Sequence, residues 1–165
     1  QNGDINTTVI KTYLGRTIMV QWDETSPRPY TRLNLVQGTK GTLAGYPTRI
    51  ALEGGVEGIN NDHHSWVEGE KLEKVFEKYE HPLYKRLNQQ SKESGHGGMD
   101  GIMMHRIVEC LQEGLPLDQN VYEGAFWSAV TELSGKSIEQ GGAPQQFPDF
   151  TRGNWRNTKP LSIIS

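Results

Sequence analysis

The chain has 165 residues, 17 basic and 20 acidic side chains, a formal net charge of −3 and 34% hydrophobic residues. That length fits one domain with a core of its own, and its 19 Gly bring the apolar share near the roughly 45–50% of globular chains. No basic stripe marks a nucleic-acid footprint, and no apolar run approaches the ~20 residues of a membrane span, so neither partner is expected.

The first fifty residues read as strands. Residues 6–13 carry Thr7, Thr8, Val9 and Ile10, and Leu14-Gly15 makes a short turn. Residues 16–22 then alternate, with Ile18, Val20 and Trp22 on one side and Thr17, Met19 and Gln21 on the other. This predicts a hairpin with one face better buried than the other. Ser26-Pro27-Arg28-Pro29 breaks the pattern, because proline has no ladder donor. A third strand is predicted over 30–37, a turn at Gly38-Thr39-Lys40-Gly41, and shorter strands near 42–44 and 48–52. Residues 53–68, rich in Gly and Asn, read as a loop.

The period then changes. Leu72, Val75, Phe76 and Tyr79 recur at helical spacing over 69–80, and a short helix is expected from Leu83. A second long pattern covers 100–112, with Ile102, Met103, Ile107, Cys110 and Leu111 as its apolar face and Gly114-Leu115-Pro116 as its stop. A third covers 119–140, with Val121, Ala125, Val130, Leu133 and Ile138 available for burial, a possible bend at Ser134-Gly135, and a stop at Gly141-Gly142. The tail after Pro144 should lie across the surface. Strands first and helices later predict an α+β domain: an open-faced, mainly antiparallel sheet with helices on one face.

Cys110 is the only cysteine, so no internal disulfide forms, and its place in an apolar helical pattern predicts a buried, inert thiol. The dinucleotide fingerprint is absent. Gly54-Gly55-Val56-Glu57-Gly58 is not G-x-G-x-x-G and no helical pattern follows it, so no cofactor is expected on this chain. No Ser-His-Asp set and no pair of glycosidase carboxylates can be read. His63 and His64 follow Asp62, but consecutive side chains diverge, so no metal site is expected.

His96 stands in Gly95-His96-Gly97-Gly98-Met99-Asp100 at a helix entrance. Flanking glycines leave backbone N–H groups and an imidazole facing outward, where a polar ligand can sit. The plainer alternative is a loop histidine beside a tight turn. Asp100 either caps the helix or holds a ligand hydroxyl. Tyr30, fixed by Pro27 and Pro29, is either a half-buried packing residue or a hydroxyl for a ligand. Arg28 either meets that ligand or pairs with a carboxylate.

Gly95–Asp100, Ser26-Pro27-Arg28-Pro29-Tyr30 and Pro148-Asp149-Phe150-Thr151-Arg152-Gly153-Asn154-Trp155 together resemble one family. They look like the C-terminal half of the NAD-dependent α-N-acetylgalactosaminidases, glycoside hydrolase family 109, within the glucose–fructose oxidoreductase and inositol dehydrogenase superfamily. The resemblance runs from about Asp4 to Trp155. It implies a redox route to hydrolysis. NAD transiently oxidises the sugar at C3, the acidified C2 proton is lost, the glycosidic bond is eliminated, water adds and hydride returns. It also implies that Tyr30 contacts the sugar, with His96, Arg28 and Asp100 as further substrate-binding candidates. Tyr46 in Gly45-Tyr46-Pro47 is similar to another family tyrosine, without an assigned role. Gly101, Met104 and His105 depart from the family pattern, where an aromatic, an acidic residue and a tyrosine are expected.

The expectation is therefore one C-terminal, substrate-side domain over residues 1–165. The nucleotide-binding Rossmann domain and a tyrosine–histidine stretch would lie upstream, so the chain alone is expected to be inactive. The compartment stays open, an exported or periplasmic parent included. The expected partners are the upstream domain, a carbohydrate substrate and a second copy meeting the open sheet face. Two other readings stand beside this one: the C-terminal domain of an NAD(P)-dependent sugar dehydrogenase, and a non-catalytic dimerisation or carbohydrate-binding module.

Overall fold

The computed structural model describes residues 4–163. Helices and antiparallel strands make a mixed α+β chain, as the order of patterns predicts, and the strands divide between two sheets. Two compact units are distinguished: residues 4–6 with 21–81, and residues 7–20 with 82–163.

A hairpin opens the chain: β1 (Ile5–Lys11) pairs with β2 (Thr17–Asp23). Its turn closes with Thr12 N–H donating to the Arg16 carbonyl at 2.8 Å, and Gly15 takes φ +82°, which a glycine adopts without strain. β1 alternates between half-buried and exposed residues, with Asn6, Thr8 and Ile10 on the better covered side. β2 departs from the predicted pattern. Thr17 to Trp22 are exposed on both sides, Met19 at 70% and Trp22 at 63%, because the described residues cover neither face.

The first unit holds a four-stranded sheet in the order β3 (Leu35–Gly38), β4 (Gly41–Ala44), β5 (Arg49–Leu52) and β6 (Val67–Glu68), all antiparallel neighbours. The predicted strand over 30–37 shrinks to β3. Leu33 sits at φ +45° with its N–H on Thr31 Oγ1 at 3.1 Å, so the chain turns where the alternation called for extension. A Cβ on Gly41 would lie 2.9 Å from the Ala51 carbonyl oxygen, so this turn residue packs where no side chain fits.

α1 (Leu72–Tyr79) follows a helical turn at Gly69–Lys71. It buries Leu72 and Val75 against Ile50, Val56 and Val67, while Phe76 and Tyr79 of the predicted face stay exposed. The loop that supplies Val56 is tied by Asn60, whose Oδ1 accepts the Val56 N–H at 2.7 Å.

In the second unit, α2 (Pro82–Ser91) packs on α3 (Met99–Glu113) and buries Leu83 and Leu87. Cys110 of α3 is 1% exposed, as its apolar pattern predicts, whereas Met103 and Leu111 of the same pattern face outward. Gly114 ends α3 at φ +67°, and the Leu115 N–H closes on the Cys110 carbonyl at 2.8 Å.

α4 (Val121–Glu139) begins with a capping box: Asn120 Oδ1 accepts from the Tyr122 and Glu123 N–H groups, and Glu123 reaches back to the Asn120 N–H at 2.8 Å. The helix continues through Ser134-Gly135 without a break, the Ser134 hydroxyl bonding back to Val130 at 2.6 Å. Phe147 and Phe150 of the tail meet Phe126 of α4 at 5.6 and 5.4 Å between ring centroids. Trp155 meets Tyr13 edge-on at 4.7 Å.

Candidate functional site

The site candidates fall in both units, and each group is described within its own. In the second unit the chain leaves α2 and enters α3 through three left-handed backbone positions. Gly97 (φ +69°) and Gly98 (φ +99°) take left-handed geometry, and so does His96 (φ +54°), which has a side chain to accommodate. The Ser94 hydroxyl supplies the acceptor for the helix entrance, taking the Gly101 N–H at 2.9 Å. Asp100 is therefore not the cap. Its carboxylate turns back to His96, whose Nδ1 lies 3.1 and 3.0 Å from the two oxygens. Both side chains remain open to solvent, His96 at 71% and Asp100 at 45%.

The lack of a side chain at Gly101 has a physical reason. A Cβ there would lie 2.7 Å from Ser94 Oγ and 2.9 Å from Ser91 Cβ, so the position is closed to any side chain in this packing. Met104 and His105 are exposed, and nothing in the structure explains their identity.

In the first unit Tyr30 is exposed at 72% and meets Tyr46 edge to face, 5.7 Å between centroids. Arg32 Nε donates to the Tyr30 hydroxyl oxygen at 2.8 Å, which leaves the phenolic proton free to be donated outward. Tyr46 also lines an open hollow of about 400 Å3 with Asn34, Leu43, Gly45, Pro47 and Thr48. Neither Arg32 nor the contact of Tyr46 was legible in the spacing. Arg28 takes the structural alternative and pairs with Asp23 at 3.5 Å. The Ser26 and Thr25 N–H groups also donate to Asp23, and with Arg28 they hold its carboxyl below the usual carboxylate range.

Tyr30 and Arg28 thus belong to one unit and His96 and Asp100 to the other, where the latter two are hydrogen-bonded. The rings of His63 and His64 do not diverge as expected. They lie 4.5 Å apart, because Asp62 Oδ1 accepts the His64 N–H and turns the backbone. Among the described residues no three His, Cys, Asp or Glu side chains gather in a way that could hold a metal ion. No described helix is long and apolar enough to cross a membrane.

Residues 1–157 match the profile of the glycosyl hydrolase 109 C-terminal domain. The chain belongs to glycosyl hydrolase family 109. It is 62% identical over 164 residues to glycosyl hydrolase family 109 protein 1 of Akkermansia muciniphila, a match covering 98% of this chain and 34% of that protein. Protein 2 of the same organism is 60% identical, covering 99% of this chain and 34% of that protein. A Shewanella baltica family 109 protein is 51% identical, covering 99% of this chain and 35% of that protein. The chain thus spans about a third of the length of these curated relatives.

The glycine cluster at 54–58 does not fit a dinucleotide pyrophosphate. The one glycine cluster that follows a strand, at 54–58, folds onto itself: a Cβ on Gly55 would overlap the Asn60 carbonyl, and the Val56 N–H is already held by Asn60. A pyrophosphate needs free N–H groups at a helix start behind such a turn, and this turn leads into loop.

Proposed function

We propose that this chain is the carbohydrate-facing part of an NAD-dependent glycosidase acting on N-acetylgalactosaminides, with NAD held by residues other than those described. The observation that carries the reading is membership of glycosyl hydrolase family 109 over residues 1–157. Two groups support it from the chemistry side. Tyr30 offers a hydroxyl anchored from behind by Arg32, and His96 offers a ring anchored from behind by Asp100. Anchored, exposed polar groups of this kind suit a sugar, because they can meet its hydroxyls without first being ordered.

The test uses the full-length protein that carries this chain, supplied with NAD and a nitrophenyl α-N-acetylgalactosaminide. Nitrophenol release is expected. His96→Ala and Tyr30→Phe should each lower kcat/KM by roughly ten- to hundredfold, the size of one lost hydrogen bond to a reacting sugar, with little change in Tm. Reduction of NAD by a free sugar without glycoside cleavage would replace the reading with a dehydrogenase. Sugar binding without any turnover would replace it with a binding module. Micromolar binding of NAD to the 165-residue chain alone would overturn the placement of the cofactor elsewhere.

A further inference from the structure

We propose that Asp100 is the positioning residue of His96: it fixes the imidazole with Nδ1 as donor and leaves Nε2 facing out as the acceptor for a substrate hydroxyl. This role rests on the carbohydrate-facing reading above. Nδ1 lies 3.0 and 3.1 Å from the carboxylate oxygens, and an ionised carboxylate only accepts, so the proton of the neutral ring belongs on Nδ1. Among the described residues Nε2 has no partner. A carboxylate behind the ring selects the tautomer and the ring orientation together.

The backbone is shaped around this pair. A Cβ on Gly95 would overlap Asp100 Oδ2, so the glycine before the histidine makes room for the carboxylate. His96 itself occupies left-handed backbone at φ +54°, which disfavours a residue with a side chain. A hydrogen bond this exposed adds little stability, so its use lies in fixing the ring orientation.

Selective 15N-histidine labelling of the full-length protein reads the tautomer directly, with His96→Ala identifying the signal. The wild type is expected to show Nδ1–H at neutral pH, and Asp100→Asn to move the ring toward Nε2–H. Gly95→Ala keeps the carboxylate but displaces it, and should move the tautomer in the same direction. Both variants should lower kcat/KM on the nitrophenyl glycoside roughly tenfold or more, with Tm close to the wild type. Identical 15N shifts in wild type and Asp100→Asn would overturn the proposal, as would a tautomer change with unaltered kcat/KM. The tautomer reading stands apart from turnover. A wild-type protein that cleaved no glycoside would sink the functional reading alone.

Discussion

Arg106 grips Asp118 through two parallel hydrogen bonds, Nε to Oδ2 at 2.9 Å and Nη2 to Oδ1 at 2.8 Å. The same guanidinium also bonds Glu109, which in turn pairs with Arg86 of α2 at 3.6 Å. Arg106 is 12% exposed, and its fork ties α3 to the segment leading to α4. Asp118→Asn should destabilise the protein by about 1–3 kcal/mol, because it removes the charge from a bidentate, partly buried pair. Urea unfolding with an unmoved midpoint would contradict this.

The carboxylates set the acid limb of stability. Hydrogen bonds from Arg106 hold both Asp118 and Glu109 below their ordinary range, and the Thr151 hydroxyl does the same for Asp149. A carboxyl whose folded value lies below its unfolded one stabilises fully above the unfolded value, near ~4, and loses that contribution as pH falls through the folded value. Tm should therefore hold from neutral pH to about pH 5 and fall below about pH 4. Asp118→Asn should make that fall shallower, which scanning calorimetry at stepped pH would detect.

Asp149 clamps the tail. Its Oδ1 accepts the Thr151 N–H at 2.9 Å and the Thr151 hydroxyl at 2.7 Å, and its Oδ2 accepts the Gly153 N–H at 2.7 Å. Asp149→Ala should speed amide exchange at Thr151 and Gly153 while leaving α4 protected. Unchanged exchange at both amides would show that the aromatic contacts alone hold the segment.

Gly41→Ala should weaken the four-stranded sheet by about 1–3 kcal/mol, since overpacking against a carbonyl oxygen forces the backbone apart. Leu52 Cδ2, 2.7 Å from the added methyl, can rotate away, but the Ala51 carbonyl at 2.9 Å cannot. Wild-type stability in this variant would mean that the β4–β5 pair yields more easily than paired inner strands should.

β2 presents Ile18, Met19, Val20 and Trp22 to solvent, each more than 40% exposed. Ile18, Val20 and Trp22 share one face of the strand, and exposed apolar patches mark contacts. The chain is expected to self-associate through this face, and Val20→Lys should shift sedimentation toward the monomer. A strict monomer at high concentration in the unaltered chain would rule the contact out.

Much of the helical half was legible in the sequence because its signals are local. Gly114 stops α3 and Gly141-Gly142 stops α4, where left-handed geometry needs them. The strand half was less legible. Alternation across residues 30–37 and through β2 reports what a strand would bury if something covered it, and carries no information about Leu33 turning or the cover being absent from the described residues. At the candidate site, the glycines around His96, and Pro27 and Pro29 before Tyr30, are what singled those residues out in the sequence. The partners behind them, Asp100 and Arg32, depend on where side chains point after the backbone has turned, which spacing alone does not encode.

Cys110 is the sole thiol of the chain, 1% exposed, with Arg106 Nη2 3.3 Å from its sulfur. A thiol reagent can reach it only when α3 opens, so the labelling rate of native protein times that opening directly. The chain thus carries its own clock for the helix that bears Asp100, readable with a thiol reagent and without any assay of sugar chemistry.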